Sequence, residues 1–323
     1  NGTSSVLGYS YTGTFTQPKV VPFTLTNTTS TARTITTGTS ASVGGNCAIA
    51  ITGGTGSFGG VILNRFLCED VNEIRVFSRD EKKQDDMRKY YNNPKLKFYI
   101  GDVRDVDSVR TAMRDIDYVF HAAALKQVPS CEFHPLQAVK TNVIGTVNML
   151  NFARTQTNLE RFVYFSTDEV FGPAPEGVNY KEYDRYNSTN PYSASKAAAE
   201  EFCVAFENTY DMPIIVTHTM NVFGERQHPE KFIPMAIRKV RDGETVTIHA
   251  NKEKTRAGSR HYVHAKDVAD GLMFILNAKE QFDAIPDFGG AKIPKFNIVG
   301  PDEVDNLELA KLIAEAQGKE LKY

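Results

Sequence analysis

From residue 47 onward, short apolar runs alternate with longer stretches of helical spacing. Ala48-Ile49-Ala50-Ile51-Thr52 is an unbroken buried-type run that ends in a glycine cluster. Similar runs at 73–78, 96–100, 118–121, 161–166 and 213–217 predict five more strands. Apolar positions at helical spacing over 57–68, 135–153 and 191–210 predict helices between them. Short apolar strands alternating with helices imply a parallel sheet covered on both faces, a doubly wound α/β fold. After residue 221 the pattern becomes irregular, which predicts a smaller C-terminal lobe.

Residues 1–46 have a different texture. They are dense in Thr, Ser and Gly, and Lys19 and Arg33 are their only charged side chains. The runs 20–26 and 32–37 read as β-strands around a turn at 27–30. A unit this small buries little surface alone, so it is expected to lean on the main domain, another copy or a larger assembly. A low-complexity linker is the alternative. The expected partition is 1–46 as a β-prone arm, 47–220 as a dinucleotide-binding domain, and 221–323 as a substrate lobe.

The chain has 323 residues and a formal net charge of −2, which removes the electrostatic argument for a nucleic-acid or anionic-membrane binder. No apolar run is long enough for a transmembrane helix and no basic, apolar leader is visible, so a cytoplasmic location is expected. A virion or surface assembly is the alternative, through the arm. Cys47, Cys68, Cys131 and Cys203 lie far apart, and buried free thiols are expected. No Cys/His cluster has metal spacing, so no metal is expected. The sequons at Asn1 and Asn27 carry little weight without a sign of secretion.

Chemistry concentrates at three places. Thr52-Gly53-Gly54-Thr55-Gly56-Ser57-Phe58-Gly59 joins the first strand to the first helix. Gly53, Gly56 and Gly59 allow a tight turn and close backbone approach, and the following helix N-terminus suits a pyrophosphate. Cofactor contacts are expected from Gly53, Thr55, Gly56, Ser57, Phe58 and Gly59. The second strand ends Phe77-Ser78-Arg79-Asp80, with Lys83 nearby. An acidic group there takes the ribose 2′-hydroxyl of NAD, whereas Ser78, Arg79 and Lys83 suit a 2′-phosphate. NADP is therefore expected, and Asp80 keeps NAD as the alternative. Asp102 and Val103 after the third strand, and Ala122 and Ala123 after the fourth, are expected along the cofactor.

Ser166-Thr167-Asp168-Glu169-Val170-Phe171-Gly172 follows the fifth strand, where open α/β sheets bind ligands. Two adjacent carboxyls can divide acid and base roles if their surroundings separate them. A helix-capping turn is the plain alternative. Tyr192-Ser193-Ala194-Ser195-Lys196 puts Tyr192 and Lys196 on one helical face, where the ammonium, together with the positive nicotinamide of an oxidised cofactor, is expected to lower the phenol's pKa. Such a tyrosine can take a proton from a hydroxyl as the carbon loses hydride.

Carrying these motifs, the chain from Cys47 resembles an extended short-chain dehydrogenase/reductase (Rossmann-type), specifically a nucleotide-sugar 4,6-dehydratase or epimerase. Residues 51–59, 76–84 and 122–138 are similar to inverting UDP-N-acetylglucosamine 4,6-dehydratases. The Ser166-to-Gly172 motif and 221–234 are similar to retaining dTDP-glucose and UDP-glucose 4,6-dehydratases. The inverting branch would carry Asp-Lys in place of Asp168-Glu169, so the retaining chemistry is expected. The resemblance implies that Tyr192, helped by Thr167 and Lys196, deprotonates the sugar 4-hydroxyl as hydride leaves C4. Glu169 then removes the C5 proton, Asp168 protonates the departing 6-hydroxyl, and hydride returns to C6. The product is a 4-keto-6-deoxy nucleotide sugar. An epimerase would need Tyr192 and Lys196 but not the carboxyl pair.

By the same resemblance, Asn221, Lys231, Phe232 and Arg260 lie near the nucleotide diphosphate, a fitting place for an Arg and a Lys. Lys126 and Asn142 are placed against cofactor or substrate. The helices at 135–153 and 191–210 resemble the pair that builds the family's homodimer bundle. The 1–46 arm is foreign to the family, and relatives are expected to continue past Tyr323. A structural, assembly-anchored protein with a decorative enzyme fold is the rival of another class. The intact Tyr192, Lys196, Asp168 and Glu169 argue against it.

Overall fold

The computed structural model describes residues 46–323, apart from Glu176, Arg226 and 278–292, together with Ser5–Val6 and Tyr9–Ser10. The chain divides into two units, Asn1–Gly38 and Thr39–Tyr323. In the first, Ser5–Val6 pairs antiparallel with Tyr9–Ser10. The strands expected at 20–26 and 32–37 lie outside the described residues.

In the second unit, β1 (Ala48–Thr52), β2 (Glu73–Ser78), β3 (Leu96–Ile100), β4 (Tyr118–His121), β5 (Arg161–Thr167) and β6 (Ile214–Thr219) carry the expected apolar runs. Between β1 and β4 lie α1 (Ser57–Leu67), α2 (Glu81–Tyr91) and α3 (Val106–Met113). A short α4 (Val128–Phe133) precedes a long helical run, and α7 (Pro191–Tyr210) separates β5 from β6. Every residue of β5 is buried, as a central strand covered on both faces requires.

The predicted helix over 135–153 is not uniform. It runs as α5 (Pro135–Ala138), a π-helical turn (Val139–Ile144) and α6 (Gly145–Ala153). The wider turn holds Asn142, whose side chain accepts from Leu125 N–H at 2.7 Å and donates to Leu125 O at 2.9 Å and Ser195 Oγ at 2.8 Å. Such π-turns gather at functional sites.

The stretch 221–323, read as one substrate lobe, is shared between two places. Its near part holds β7 (Val222–Phe223), α8 (Phe232–Asp242), β8 (Ser259–His261) and β9 (Val263–His264). Then α9 (Ala265–Asn277) returns to α1, where Arg65 Nε meets Asp270 Oδ1 at 2.8 Å. Next, β10 (Lys295–Ile298) adds a parallel edge strand beside β6. β11 (Glu303–Asp305) pairs antiparallel with β8, and α10 (Asn306–Ala316) packs on α8 through Ala236, Val240, Ala310 and Ala314. The sheet has seven parallel strands in the order β10-β6-β5-β4-β1-β2-β3. Chain order reverses between β1 and β4, and ligands of open sheets bind beyond the strand ends at that switch point.

Among the described residues no helix is long and apolar enough to cross a membrane. The four cysteines are free; Cys47, Cys131 and Cys203 are buried, while Cys68, expected buried, is exposed at the end of α1. No group of His, Cys, Asp and Glu among the described residues is placed to hold a metal.

Candidate active site

The glycine turn sits at the switch point. Gly53 has φ +69°, and a Cβ there would meet Ala122 O and Ala123 N at 3.0 Å, so the turn lies directly against the end of β4. A Cβ on Gly59 would come within 2.6 Å of Gly54 Cα and 2.7 Å of Gly53 O, which is how α1 closes onto the turn. Gly56, by contrast, is exposed, and a Cβ there would meet only Gly53 O, at 3.3 Å. Gly56 is also the N-cap of α1 and gives no side-chain cap, so the first N–H groups of the helix are left for a ligand. This tight turn, open in front and uncapped, fits a dinucleotide pyrophosphate. Gly59→Ala is expected to abolish cofactor binding in a titration and to cost about 1–3 kcal/mol of stability. Gly56→Ala should keep the wild-type thermal stability and lose cofactor affinity only; unaltered cofactor binding in both variants would contradict the cradle.

Around it, Thr55 Oγ1 and Ser78 Oγ hydrogen-bond at 2.7 Å, joining the turn to the end of β2. Ser57 opens α1, and Phe58 lies edge-on to Phe165 at 4.9 Å. Arg79 Nη1 faces Asp102 Oδ2 at 3.6 Å, and Lys83 Nζ faces Asp80 Oδ2 at 2.8 Å. Asp80 also accepts from Lys83 N–H as the N-cap of α2, so its carboxylate is already engaged. The side chain of Val103 is buried under Gly145 of α6, and its carbonyl accepts from Asn148 Nδ2 at 3.0 Å, so any contact with a cofactor would be made by its main-chain N–H. It supports the wall from behind. Ala123 N–H donates to Thr52 Oγ1 at 3.2 Å. Thr52 Oγ1 lies 2.7 Å from His121 Nδ1, and His121 Nε2 lies 3.0 Å from Thr146 Oγ1, which itself donates to Asn142 O. Burial, then the Lys196 charge, pushes His121 down to about 3, so it serves as a neutral strut.

Tyr192 and Lys196 lie on α7, which starts at a capping box between Asn190 and Ser193. Lys196 is buried; its Nζ donates to Phe165 O at 2.5 Å and sits 4.1 Å from the Tyr164 ring centroid. Burial brings Lys196 down to about 8, against the opposing pull of Cys203 and Glu200. The expected lowering of the Tyr192 phenol concerns the site with an oxidised cofactor; the chain by itself sets a different starting point. Burial first, and then the Glu169 charge, raise Tyr192, while the Thr167 hydroxyl pulls it back. The Lys196 ammonium is engaged by the Phe165 carbonyl, while the Glu169 and Asp168 charges both act on the phenol.

Asp168 and Glu169 occupy the 3₁₀ turn Asp168–Val170, capped by Thr167, at the end of β5. Burial, then the Glu169 charge, raises the Asp168 carboxyl, and Arg260 draws it back weakly. Glu169 Oε2 accepts from Asn190 Nδ2 at 3.1 Å. Thr167, Asp168, Glu169 and Tyr192 thus come together, with Cys131 of α4 near enough to feel both Glu169 and Tyr192.

Of the remaining expected residues, Lys231 is the N-cap of α8 and Phe232 its first residue. Asn221 adopts φ +34° just after β6. Arg260 lies on β8 with an exposed side chain. Lys126 is lowered first by its surroundings and then by Lys231 and Lys83, so these three cations share one region beyond the strand ends. Asn190, Cys131 and the Phe165 carbonyl have no motif of their own; only the capping position of Asn190, just before a proline, was readable in advance.

An uncapped glycine turn at the switch point, with a Tyr/Lys helix beside it, defines a dinucleotide-dependent α/β protein of the extended short-chain dehydrogenase/reductase type. The NAD dependent epimerase/dehydratase family matches residues 49–288, and the chain belongs to this family. Proteins named UDP-glucose 4-epimerase from Rickettsia bellii (strain OSU 85-389) and Rickettsia rickettsii (strain Sheila Smith) are 44% identical over 207 residues. That segment is 62% of this chain and 55% of theirs, so the chain spans about half the length of these curated relatives. Among solved structures, the dTDP-glucose 4,6-dehydratase DesIV from Streptomyces venezuelae, with NAD and TYD bound, matches with TM-score 0.72 and 27% identity, over 84% of this chain and 82% of that one. The UDP-glucose 4-epimerase of Thermus thermophilus, in complex with NAD, matches with TM-score 0.70 and 26% identity, over 85% of each chain.

Proposed function

We propose that this chain is a nucleotide-sugar 4,6-dehydratase, a lyase that makes a 4-keto-6-deoxy sugar. The observation that carries this reading is the carboxyl pair beside Tyr192. Asp168 is raised by burial and by Glu169, which suits an acid, while Glu169 is held by Asn190 as a base requires. The bound dinucleotide supplies hydride acceptance and return. Tyr192, next to Thr167, takes the proton of the sugar 4-hydroxyl. The resulting ketone acidifies C5–H, Glu169 removes that proton, and Asp168 delivers its proton to the leaving 6-hydroxyl. Lys126, Lys231, Arg260, Asn221 and Phe232 receive the nucleotide diphosphate, by charge and by position. Tyr192 and Lys196 would share the cofactor side of the site, where the Lys196 ammonium, with the positive charge an oxidised dinucleotide would bring, would favour the phenolate.

The second reading is a nucleotide-sugar epimerase, favoured by the names of the Rickettsia relatives. Mass spectrometry of the protein with dTDP-glucose, UDP-glucose and UDP-N-acetylglucosamine separates the two. Loss of one water supports the dehydratase; an isomer of unchanged mass supports the epimerase.

For the cofactor, NAD is what the solved relatives named above hold, and the end of β2 adds a preference for NADP. Arg79 and Lys83 are well exposed and face the half-buried Asp102 and the more exposed Asp80, so both can turn to a 2′-phosphate. Arg79→Ala is expected to weaken NADP binding about tenfold and to leave NAD binding unchanged. Equal affinities for both cofactors in the wild type would remove the preference. We also propose a homodimer through the 135–153 and 191–210 helices, and an assembly role for residues 1–46.

A further inference from the structure

Behind the carboxyl pair lies a buried charged cluster that the proposed chemistry does not use. Glu200 of α7, His218 of β6 and Lys295 of β10 are all buried. Tyr186 reaches them from the loop that precedes α7. The Glu200 carboxylate accepts from the Tyr186 hydroxyl, from Lys295 Nζ at 2.9 Å, and lies 3.1 Å from His218 Nε2. Lys295 Nζ also donates to the Tyr186 hydroxyl at 2.6 Å. Burial alone would raise Glu200, but His218, then Lys295 and Tyr186, hold it well below the ordinary carboxylate range. On its other side His218 Nδ1 lies 3.0 Å from Asn297 Oδ1, and Asn297 Nδ2 donates to Tyr180 O at 3.2 Å. A buried ionic cluster is a poor way to gain stability, because desolvating the charges offsets their attraction. What it does provide is fixed geometry.

The cluster grips both ends of the loop that carries Glu169. On the outgoing end, the Phe171 ring rests on His218 at 4.9 Å and on Tyr186 at 5.5 Å. On the returning end, Tyr186 is bound to Glu200 and Lys295, Asn187 N–H donates to Val170 O at 2.9 Å, and Asn190 reaches Glu169. Glu200 lies on the same helix as Tyr192. The base for C5–H and the base for the 4-hydroxyl are therefore tied to one rigid body.

We infer that Glu200 and Tyr186 are positioning residues that fix Glu169 relative to Tyr192, so that C5 deprotonation follows C4 oxidation without rearrangement. The assignment of the two steps rests on the dehydratase reading; the mechanical tie does not.

The test uses the full chain with Tyr186→Phe, which keeps the contacts of Glu200 with Lys295 and His218, and Glu200→Gln as the stronger variant. The substrate is whichever of dTDP-glucose, UDP-glucose or UDP-N-acetylglucosamine the wild type dehydrates, unlabelled and deuterated at C4. Tyr186→Phe is expected to slow deuterium uptake at C5 about tenfold. The isotope effect from C4 deuteration should fall toward unity as the C5 step becomes slow. Amide exchange across 168–190 should quicken, with β5 unchanged. An unaltered C4 isotope effect, meaning both steps slowed alike, overturns the inference, and so does unaltered amide exchange. A wild type that removes no water from any of the three sugars sinks the dehydratase reading separately. Amide exchange then decides the tie alone: faster exchange in Tyr186→Phe supports it, and unchanged exchange overturns it.

Discussion

Glu169→Gln is expected to stop water loss, lowering it by about 10²–10⁴-fold, while cofactor affinity stays at the wild-type value. The substitution keeps the shape and leaves an oxygen to accept from Asn190 Nδ2, so the 3₁₀ turn should hold. It removes the group proposed to take the C5 proton. It also removes a negative charge that raises both Asp168 and Tyr192, so both groups should titrate lower than in the wild type. Oxidation at C4, which depends on Tyr192, should persist and leave a ketone that cannot lose water. The check is a mass assay for water loss together with deuterium uptake at C5 from heavy water. A variant that still dehydrates at the wild-type rate would rule Glu169 out as the base.

Lys196→Met is expected to remove activity by at least about 10²-fold, because it deletes the ammonium proposed to help Tyr192 ionise, without lowering thermal stability. Lys196 is 3% exposed, and its folded value of about 8 lies below the ordinary 10.5. The folded state therefore binds this proton less tightly than the unfolded state. The cost of the buried charge is fully present below about pH 8 and is relieved as pH rises from there toward 10.5. A shift of this size corresponds to roughly 3 kcal/mol, partly offset by the Phe165 carbonyl bond and the Tyr164 ring that methionine would lose. Replacing a buried charge by an apolar side chain of similar length often stabilises a protein. Calorimetry at pH 7 should give a midpoint at or above the wild type, and the difference should shrink at pH 10. A clearly lower midpoint at pH 7 would mean that the local contacts outweigh desolvation.

Several features were legible in the chain before its fold was known. The apolar runs of β1 to β6 and the helical spacing of α1 and α7 follow from burial on two faces or on one, which is a local property of sequence. The glycines at 53 and 59 announced a close-packed turn because a side chain at either would meet the β4 end or the turn itself, while Gly56 left the front of the turn open. Tyr192 and Lys196 fell on one helical face for the same periodic reason. Less was legible beyond residue 221, where β10 and α9 return to the main domain; short segments that pair with sequence-distant partners carry no local signature of their partner.

Spacing and residue type along the chain were enough for the strand–helix alternation, the phosphate-type turn and the groups available for acid, base and cation roles. Tertiary structure alone decided how those groups face one another. It turned Lys196 toward the Phe165 carbonyl and set burial and the Glu169 and Asp168 charges against ionisation of the Tyr192 phenol in the chain alone. It buried Val103 beneath Gly145. It assembled Glu200, His218, Lys295 and Tyr186 from α7, β6, β10 and a loop. The physical reason is common to all three. Electrostatic and packing effects depend on distance and burial, which are set by long-range pairing of the sheet, whereas spacing along the chain fixes only which residues share a face.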